Sequence, residues 1–563
     1  MSALRRIERR AQVEVGDDWP RTWPALLRRV HAARGSANAE AAMPRLASLL
    51  PYAGLKGIEA AVDLLAEAMA RDAHIVVVGD FDCDGATACA VGVRGLRMLG
   101  ARRVSHAVPN RIVHGYGMTP GLVEELAALE PDLLVTVDHG IACHAGIAAA
   151  KARGWQVLVT DHHLPGETLP NADAIVDPNQ PGDSFASKAM AGVGVMFYVL
   201  LALRARLGVQ ADLAALLDLV AVGTVADMVA LDANNRALVG AGLRRLRAGQ
   251  GCAGLRALIE VAGRNESNLS TADIGFAIGP RINAAGRLED MGIGIECLLS
   301  DDPAQAREFA EVLHRINRER RGVQAGMQDL AETQLAALAD VRASVAVCLH
   351  DPDWHPGVVG LVASKLKERL HRPTIAFAPL EAGSAQLRGS ARSVPGFHIR
   401  DALALVDARH PGLIERFGGH AMAAGLSLHI DKLPAFTAAF LAVAEAWVTP
   451  DLLTEQVASD GALDPEDFSI SSALALRDGG HWGQGYPEPI FDGVFEVLGW
   501  RIVGERHLKL ELAAGSRRLD AIHFGGWDGV EPCVMVRLAY RMAADDYRGG
   551  EAIQLVVVHR ESA

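Results

Sequence analysis

The chain has 563 residues, 50% of them hydrophobic, enough for about three or four domains with well-filled cores. Fifty-five Lys and Arg against 68 Asp and Glu give a formal net charge of −13, which argues against a generally basic nucleic-acid binder but allows a local positive groove on an acidic body. Seven cysteines without a CxxC pair argue against zinc and disulfide scaffolds, and with no apolar targeting run and no 18 consecutive apolar residues the expectation is a soluble, cytosolic chain without a membrane span.

Residues 1–50 read as an N-terminal accessory segment, mostly helical, interrupted by Pro20, Pro24 and Pro44. Residues 51–300 read as one domain, and the alternation of strand, turn and helix from 55 to 230 predicts a parallel α/β fold for it. Its first apolar run, His74 to Gly79, ends in Asp80-Phe-Asp82-Cys-Asp84-Gly85. On an extended segment residues i, i+2 and i+4 share a face, so the three carboxylates can converge. Crowded carboxylates repel unless protons or a cation compensate, and a hard divalent ion such as Mg²⁺ or Mn²⁺ suits oxygen ligands. The motif alone also fits a calcium loop or a polar turn.

Leu133–Val137 ends in Asp138-His139-Gly140, Gln156–Thr160 in Asp161-His162-His163, and the apolar segment Leu219–Ala226 in Asp227. One Asp or His after a strand is more often a turn residue, but four such endings point to the functional rim at the carboxyl ends of a parallel sheet. Helices are expected at 57–70 and 87–99 and dominate from about 193. Residues 301–343 read as a long helical connector, in which Pro303 to Leu338 would span roughly 54 Å if continuous. Residues 344–450 form a second α/β unit, with strands at 344–349 and 374–377 and helices at 358–370 and 433–447. Residues 451–563 carry five short alternating strands that fit an OB-type barrel or a small sandwich.

Together, residues 76–88, 110–117, 136–140, 160–163 and 222–229 resemble the DHH phosphoesterase superfamily, named for Asp161-His162-His163. Residues 279–288, 354–360, 389–393 and 418–425 extend the resemblance towards that superfamily's bacterial exonucleases specific for single strands. The resemblance implies an α/β fold with a parallel-sheet catalytic domain, a long connecting helix, a second DHH-associated (DHHA1) domain and a C-terminal antiparallel OB-type barrel. It also implies metal-dependent hydrolysis of single-stranded DNA from the 5′ end to 5′-mononucleotides in DNA recombination and repair. Two divalent cations, Mn²⁺ or Mg²⁺, are implied as cofactors. A single-strand-binding protein and a helicase are implied as partners of a cytoplasmic, nucleoid-associated monomer. His139 departs from the pattern, standing where many relatives have asparagine, and an altered hydrogen bond around an intact Asp138 is the expectation.

In the implied site Asp138 bridges two metals, Asp80 and Asp82 complete one, and Asp84, His162 and Asp227 serve the other. His163 faces the scissile phosphate or orients a ligand, while Asp161 holds an imidazole tautomer from behind. Substrate contacts are expected from Asn110, Arg111, His114 and Tyr116, and from Arg281, Asn283 and Arg287 on a polar loop. In the second domain they are expected from His355, Arg388, Ser390, Arg392 and His420, with a phosphate-accommodating loop at Gly418 and Gly419. A cleft between the two domains would admit one strand and exclude duplex. In the barrel Trp500, His507, Lys509, Phe524 and Trp527 are candidates for base stacking or for its core. The competing expectations are a DHH phosphodiesterase acting on short oligonucleotides or cyclic dinucleotides, and a nonhydrolytic DNA-binding replication scaffold.

Overall fold

Apolar runs without polar alternation belong to strands covered on both faces, and in this chain they build one parallel sheet. The computed structural model describes residues 4–111, 113–337, 344–515, 517–545 and 552–563. They fall into two units, one of residues 12–317 with 474–488, the other of residues 1–11, 318–473 and 489–563.

In the first unit Ile75–Val78, Val104–Ala107, Leu133–Val137, Gln156–Thr160 and Ala174–Val176 pair in parallel throughout. Their spatial order is second, first, third, fourth, fifth. The order therefore reverses between Ile75–Val78 and Leu133–Val137, and the crevice beyond their carboxyl ends is where such sheets bind ligands. Register places Val78 level with Thr136 and Val137 level with Thr160, so the residues after these strands emerge at one height. Helices Pro120–Leu126 and His144–Ala152 supply Leu122, Val123, Leu126, Ile147 and Ala150 against Val76, Val78, Leu134 and Val157 on one face. On the other, Gly92 of helix Cys83–Met98 lies between Val77 and Met196 of helix Gly192–Leu207.

The fourth apolar run departs from expectation, since Leu217–Ala226 is an α-helix with Asp227 at its C-cap rather than a strand. Its first eight residues are all buried. A helix covered on every side shows no amphipathic period, so its sequence reads as a buried strand would. The accessory segment also packs in this unit. In helix Ala25–Ala32, buried His31 pairs Nδ1 with the Tyr486 hydroxyl at 2.6 Å and Nε2 with the Gly479 carbonyl at 2.8 Å. Residues 474–488, expected with the terminal barrel, thus belong here.

In the second unit five strands stand in the order Arg416–Gly419, Ala423–His429, Gln386–Arg392, Thr374–Pro379, Val347–His350. Only the last pair is parallel. Phe377, Phe397, Phe436 and Phe440 fill the core beneath helices Ile399–Arg409 and Leu433–Trp447. Phe491–Val503, His507–Ala514, Arg517–His523, Met535–Ala544 and Ile553–Ser562 close a barrel. The barrel is not wholly antiparallel, because Arg517–His523 pairs in parallel with Ile553–Ser562, a topology that strand alternation cannot reveal. One helix runs from Pro303 to Ala337 and contributes to both units; Leu338 and the rest of the expected connector lie outside the described residues. Among the described residues no helix is long and apolar enough to cross a membrane.

The expected helical N-terminus begins instead as strand Leu4–Arg9, parallel to Thr454–Ser459. Arg9 reaches the buried Asp492 carboxylate at 2.9 Å, as does Arg537, and the Ser459 hydroxyl donates to it at 2.6 Å. Asp492 is the buried hub of these contacts, and its loss removes charge-assisted hydrogen bonds while the partly exposed arginines turn to solvent. Asp492→Ala is expected to destabilise this unit by about 2 kcal/mol, read as an earlier midpoint in chemical denaturation.

Candidate metal centre and substrate face

The DxDxDG segment is not extended throughout. Asp80 follows the strand, whereas Asp82 caps helix Cys83–Met98, accepting from the Asp84 and Gly85 N–H groups at 2.9 and 3.1 Å, and Asp84 stands in the first turn. The final Gly has a steric reason: a Cβ on Gly85 would lie 2.5 Å from the Asp80 backbone. The chain doubles back here and separates Asp84 from Asp80 and Asp82.

Three groups of side chains bring ligand atoms within 4.8 Å of one another: Asp80, Asp82 and Asp138; Asp84, His162 and Asp227; and Asp138, His162 and His163. Asp138 belongs to two of them. His162 Nε2 lies 3.0 Å from Asp138 Oδ1, 3.6 Å from Asp227 Oδ2 and 4.0 Å from Asp84 Oδ2. Asp80 Oδ1, Asp138 Oδ1 and His162 Nε2 are buried without a hydrogen-bond partner among the described residues. Orphaned buried acceptors are rare, and an oxygen-rich set with one imidazole nitrogen fits divalent Mn²⁺ or Mg²⁺. Asp138 also adopts a left-handed backbone, φ 65°, of the kind that persists where the surroundings over-determine it.

Electrostatics agree with that donor set. Burial first, then the Asp82 charge, raises Asp80 to about 8 and Asp227 to about 7. Burial, followed by the Asp227 charge for Asp84 and the Asp84 charge for Asp138, pushes both well above the ordinary carboxylate range. Burial and the neighbouring His163 lower His162 to about 4, leaving a neutral imidazole suited to ligation. Burial opposes charge on His163, but its Asp161 hydrogen bond and the Asp161 charge raise it to about 9. Asp161 is buried; its Oδ1 accepts from the His162 N–H, the His163 N–H and His163 Nδ1, and its Oδ2 from the Ile141 N–H. Against the effect of burial, these bonds and the two imidazoles hold its carboxyl below the usual range. His139 is buried and hydrogen-bonds the Val78 carbonyl at 3.0 Å.

Other expected residues divide into those at the site and those that shape it. The Tyr116 hydroxyl meets the Asp138 carbonyl at 3.4 Å and the His163 ring at 3.3 Å, and Arg111 lies over the Phe81 ring. Asn110 and His114 mainly order their own loop: Asn110 Oδ1 accepts from the Val113 N–H and His114 Nδ1 from the Asn110 N–H, while His114 Nε2 faces Glu125. Arg281, Asn283 and Arg287 are not on a loop. They sit on helix Gly279–Leu288, which follows the π-helical turn Ile274–Ile278. Arg281 faces His314 Nδ1 at 3.2 Å, and Asn283 Oδ1 accepts from the Cys83 N–H at 2.8 Å, bracing the start of the helix that carries Asp84. Glycines had masked this helix in the sequence.

Sequence reasoning missed the backbone that holds Asp84. The Gly192 and Val193 N–H groups donate to its carboxylate at 2.6 and 3.0 Å, at the start of helix Gly192–Leu207. A Cβ on Gly192 would stand 2.6 Å from that of Asp138, so glycine is required for this approach. Backbone donors leave no compositional signal, although Ala-Gly-Val-Gly before an apolar helix marks the place.

In the second unit Arg388, Ser390 and Arg392 alternate along one face of strand Gln386–Arg392. Arg392 donates to the Ser364 and Ser390 hydroxyls at 3.0 Å each. Ser390 is level with Gly425, and Gly425 with Gly418 on the edge strand, so two residues without side chains open a bare lane beside these groups. Gly418 and Gly419 therefore end a strand rather than form a loop, and the His420 N–H donates to the Ala423 carbonyl. His355 Nδ1 accepts from the Gly357 N–H just before helix Val359–Leu370. In the barrel Trp500 and Trp527 stack at 5.5 Å and Phe524 meets His507 edge-on, with Trp500 37% and Phe524 64% exposed, so neither of these two is core.

Three family models match the chain: the DHH family N-terminal domain over residues 74–224, the DHHA1 domain over 340–446 and the RecJ OB domain over 459–559. The single-stranded-DNA-specific exonuclease RecJ of Escherichia coli is 46% identical over 566 residues, covering 98% of each chain. That of Thermus thermophilus is 36% identical over 92% of this chain and 75% of its own. Crystal structures of RecJ from Thermus thermophilus with Mn²⁺ and with Mg²⁺ superpose with TM-scores of 0.79 and 0.75, at 34% and 32% identity. They cover 97% of this chain, and 79% and 78% of theirs.

The raised carboxylates predict an unusual pH response of the metal-stripped protein. A folded-state pKa above the unfolded value means that the native state binds more protons, so stability is full below about 4 and falls as pH rises through the values of about 7 and 8. Melting temperature in EDTA is expected to decline from pH 5 to pH 8, and added Mn²⁺ to raise it most at pH 8.

Proposed function

The chain belongs to the RecJ family of single-stranded-DNA-specific exonucleases, and on that premise we propose that its metal centre hydrolyses single-stranded DNA from the 5′ end, releasing 5′-mononucleotides. The observation that carries the reading is that the Asp80, Asp82 and Asp138 group and the Asp84, His162 and Asp227 group meet where His162 Nε2 lies 3.0 Å from Asp138 Oδ1, with all the expected donors present. When bound, two divalent ions supply positive charge to the phosphate oxygens and lower the pKa of an attacking water.

The chain's own residues do the rest. Asp80 and Asp82 would hold one ion and Asp84, His162 and Asp227 the other, with Asp138 available to both. His163, one nitrogen tied to Asp161 and its ring beside Tyr116, is oriented to donate to a nonbridging phosphate oxygen. The bare lane by Ser390 and Arg392, near the start of helix Val359–Leu370, suits a terminal phosphate, since backbone can approach it and guanidinium can pair with it. The exposed Trp500 and Phe524 suit stacking of downstream bases without sequence preference.

By role, residues 51–300 catalyse, 344–450 hold the strand end and 451–563 hold the strand, with 301–343 as connector. The reading extends to a monomer in the cytoplasm at the bacterial nucleoid, acting in recombination and repair. A helicase would supply its substrate, and a protein coating that strand would be its neighbour. The complete donor set disfavours a nonhydrolytic scaffold, and the OB domain disfavours a phosphodiesterase limited to dinucleotides.

Single strands labelled at the 5′ or the 3′ end, with matched blunt duplex, test the reading in Mn²⁺, Mg²⁺ and EDTA. Early loss of the 5′ label as mononucleotide, absent in EDTA and weak on duplex, is expected; trimming from the 3′ end, or preference for dinucleotides, overturns it. Asp138→Ala is expected to lower turnover at least about 1,000-fold with the fold retained by circular dichroism, since it takes a ligand from both ions.

A further inference from the structure

Two metal ligands are held by backbone that itself needs holding. The Asp84 carboxylate accepts from Gly192 and Val193, and the His162 ring sits close to the Met190 carbonyl, with Nε2 facing Asp138 and Asp227. All three contacts come from one short strap, Ser187 to Val193, that has no acidic side chain of its own. The strap is fastened from the start of helix Ala233–Arg247. Asn235, 1% exposed, donates through Nδ2 to the Ala189 carbonyl at 2.7 Å and to the Ala230 carbonyl at 2.9 Å. Ala189 lies three residues before Gly192, which holds Asp84, and Ala230 lies three residues after Asp227. Beside it Asp232 accepts from the Ser187 hydroxyl at 2.6 Å and caps the same helix through the Asn235 N–H. From the other side, Asn179 Nδ2 donates to the His162 carbonyl at 2.6 Å and, at 3.3 Å, to that of Lys188.

We propose that Asn235 is a positioning residue for the metal centre: through the Ser187–Val193 strap it sets the spacing of His162, Asp84 and Asp227, with Asn179 as the opposing tie. The inference rests on reading the Asp and His cluster as a metal centre. An amide suits the task because one –NH₂ group satisfies two carbonyls at once and carries no charge beside the carboxylates. A hydrophobic side chain of the same size would leave both carbonyls buried and unpaired, freeing the strap to shift by the few tenths of an ångström that ligand geometry cannot tolerate.

Asn235→Leu and Asn179→Ala test this beside Thr271→Val. The control removes a buried hydrogen bond to the Trp482 carbonyl in the same unit without touching the strap. Free Mn²⁺ is followed by electron paramagnetic resonance as metal-stripped full-length protein is titrated without DNA, and single-strand hydrolysis is measured over a range of Mn²⁺ concentration. Outer partners of metal ligands typically change affinity roughly 10- to 100-fold. Both strap variants are expected to weaken Mn²⁺ binding at least tenfold and to raise the half-saturating Mn²⁺ equally. KM for DNA at saturating Mn²⁺ should stay within about twofold, and the control should bind as wild type does.

Folded variants that bind Mn²⁺ with wild-type affinity overturn the proposal, as does a control that weakens binding as much as they do. Should Asn235→Leu fail to fold, the half-buried Asn179 decides alone by the same criterion. Wild-type protein that takes up no Mn²⁺ would instead refute the metal-centre reading itself.

Discussion

Packing several carboxylates into a buried crevice is the constraint from which most of this structure follows. Asp80, Asp84 and Asp138 are each almost fully buried, and the positive charges of Arg111 and His163 offset only part of what burial and the Asp82 charge impose on Asp80. A protein can tolerate that only if protons or cations arrive and the backbone prevents the groups from swinging apart. Parallel strands ending level, a capped helix beginning at Asp82 and a glycine at 192 all serve the second requirement. The fold is in this sense a frame that makes an unfavourable anionic cavity and leaves its neutralisation to the medium.

The legibility of that frame in the sequence was uneven for physical reasons. Asp80, Asp138 and Asp161 stood out because short buried strands stop abruptly, and the change from an apolar run ending in Gly, Val or Thr to Asp marks the stop. Asp227 was found by the same contrast although its carrier, Leu217–Ala226, is a helix; a completely buried helix and a buried strand are both simply apolar. Residues 281–287 were misplaced on a loop because glycines at 279 and 286 resemble punctuation, whereas a Cβ on Gly286 would meet the Phe81 carbonyl. Asn235 and Asn179 gave no sign at all: a lone buried amide is visible only once the carbonyls it bridges have coordinates. Chain order likewise concealed that residues 4–11 and 474–488 pack away from their sequence neighbours.

Charge is handled differently in the two units. The first keeps acidic groups inside and needs cations from solution. The second carries its own, on Arg388 and Arg392, and clears space beside them by omitting side chains at Gly418 and Gly425. An overall charge of −13 is therefore compatible with a polyanionic substrate, because attraction need operate only where the strand lies, and the body's excess negative charge discourages binding elsewhere.

The interleaving of the chain bears on how such a protein is made. Synthesis proceeds from the N-terminus, so Leu4–Arg9 leaves the ribosome long before Thr454–Ser459, the strand it pairs with, has been translated. The catalytic unit cannot receive Tyr486, the partner of His31, until almost 490 residues have been joined. Completion of both units thus waits for the last fifth of the chain, and a polypeptide released early would carry an unclosed core and an unpaired strand. A product cut short before Thr454 would leave Leu4–Arg9 without its partner strand and His31 without the Tyr486 hydroxyl.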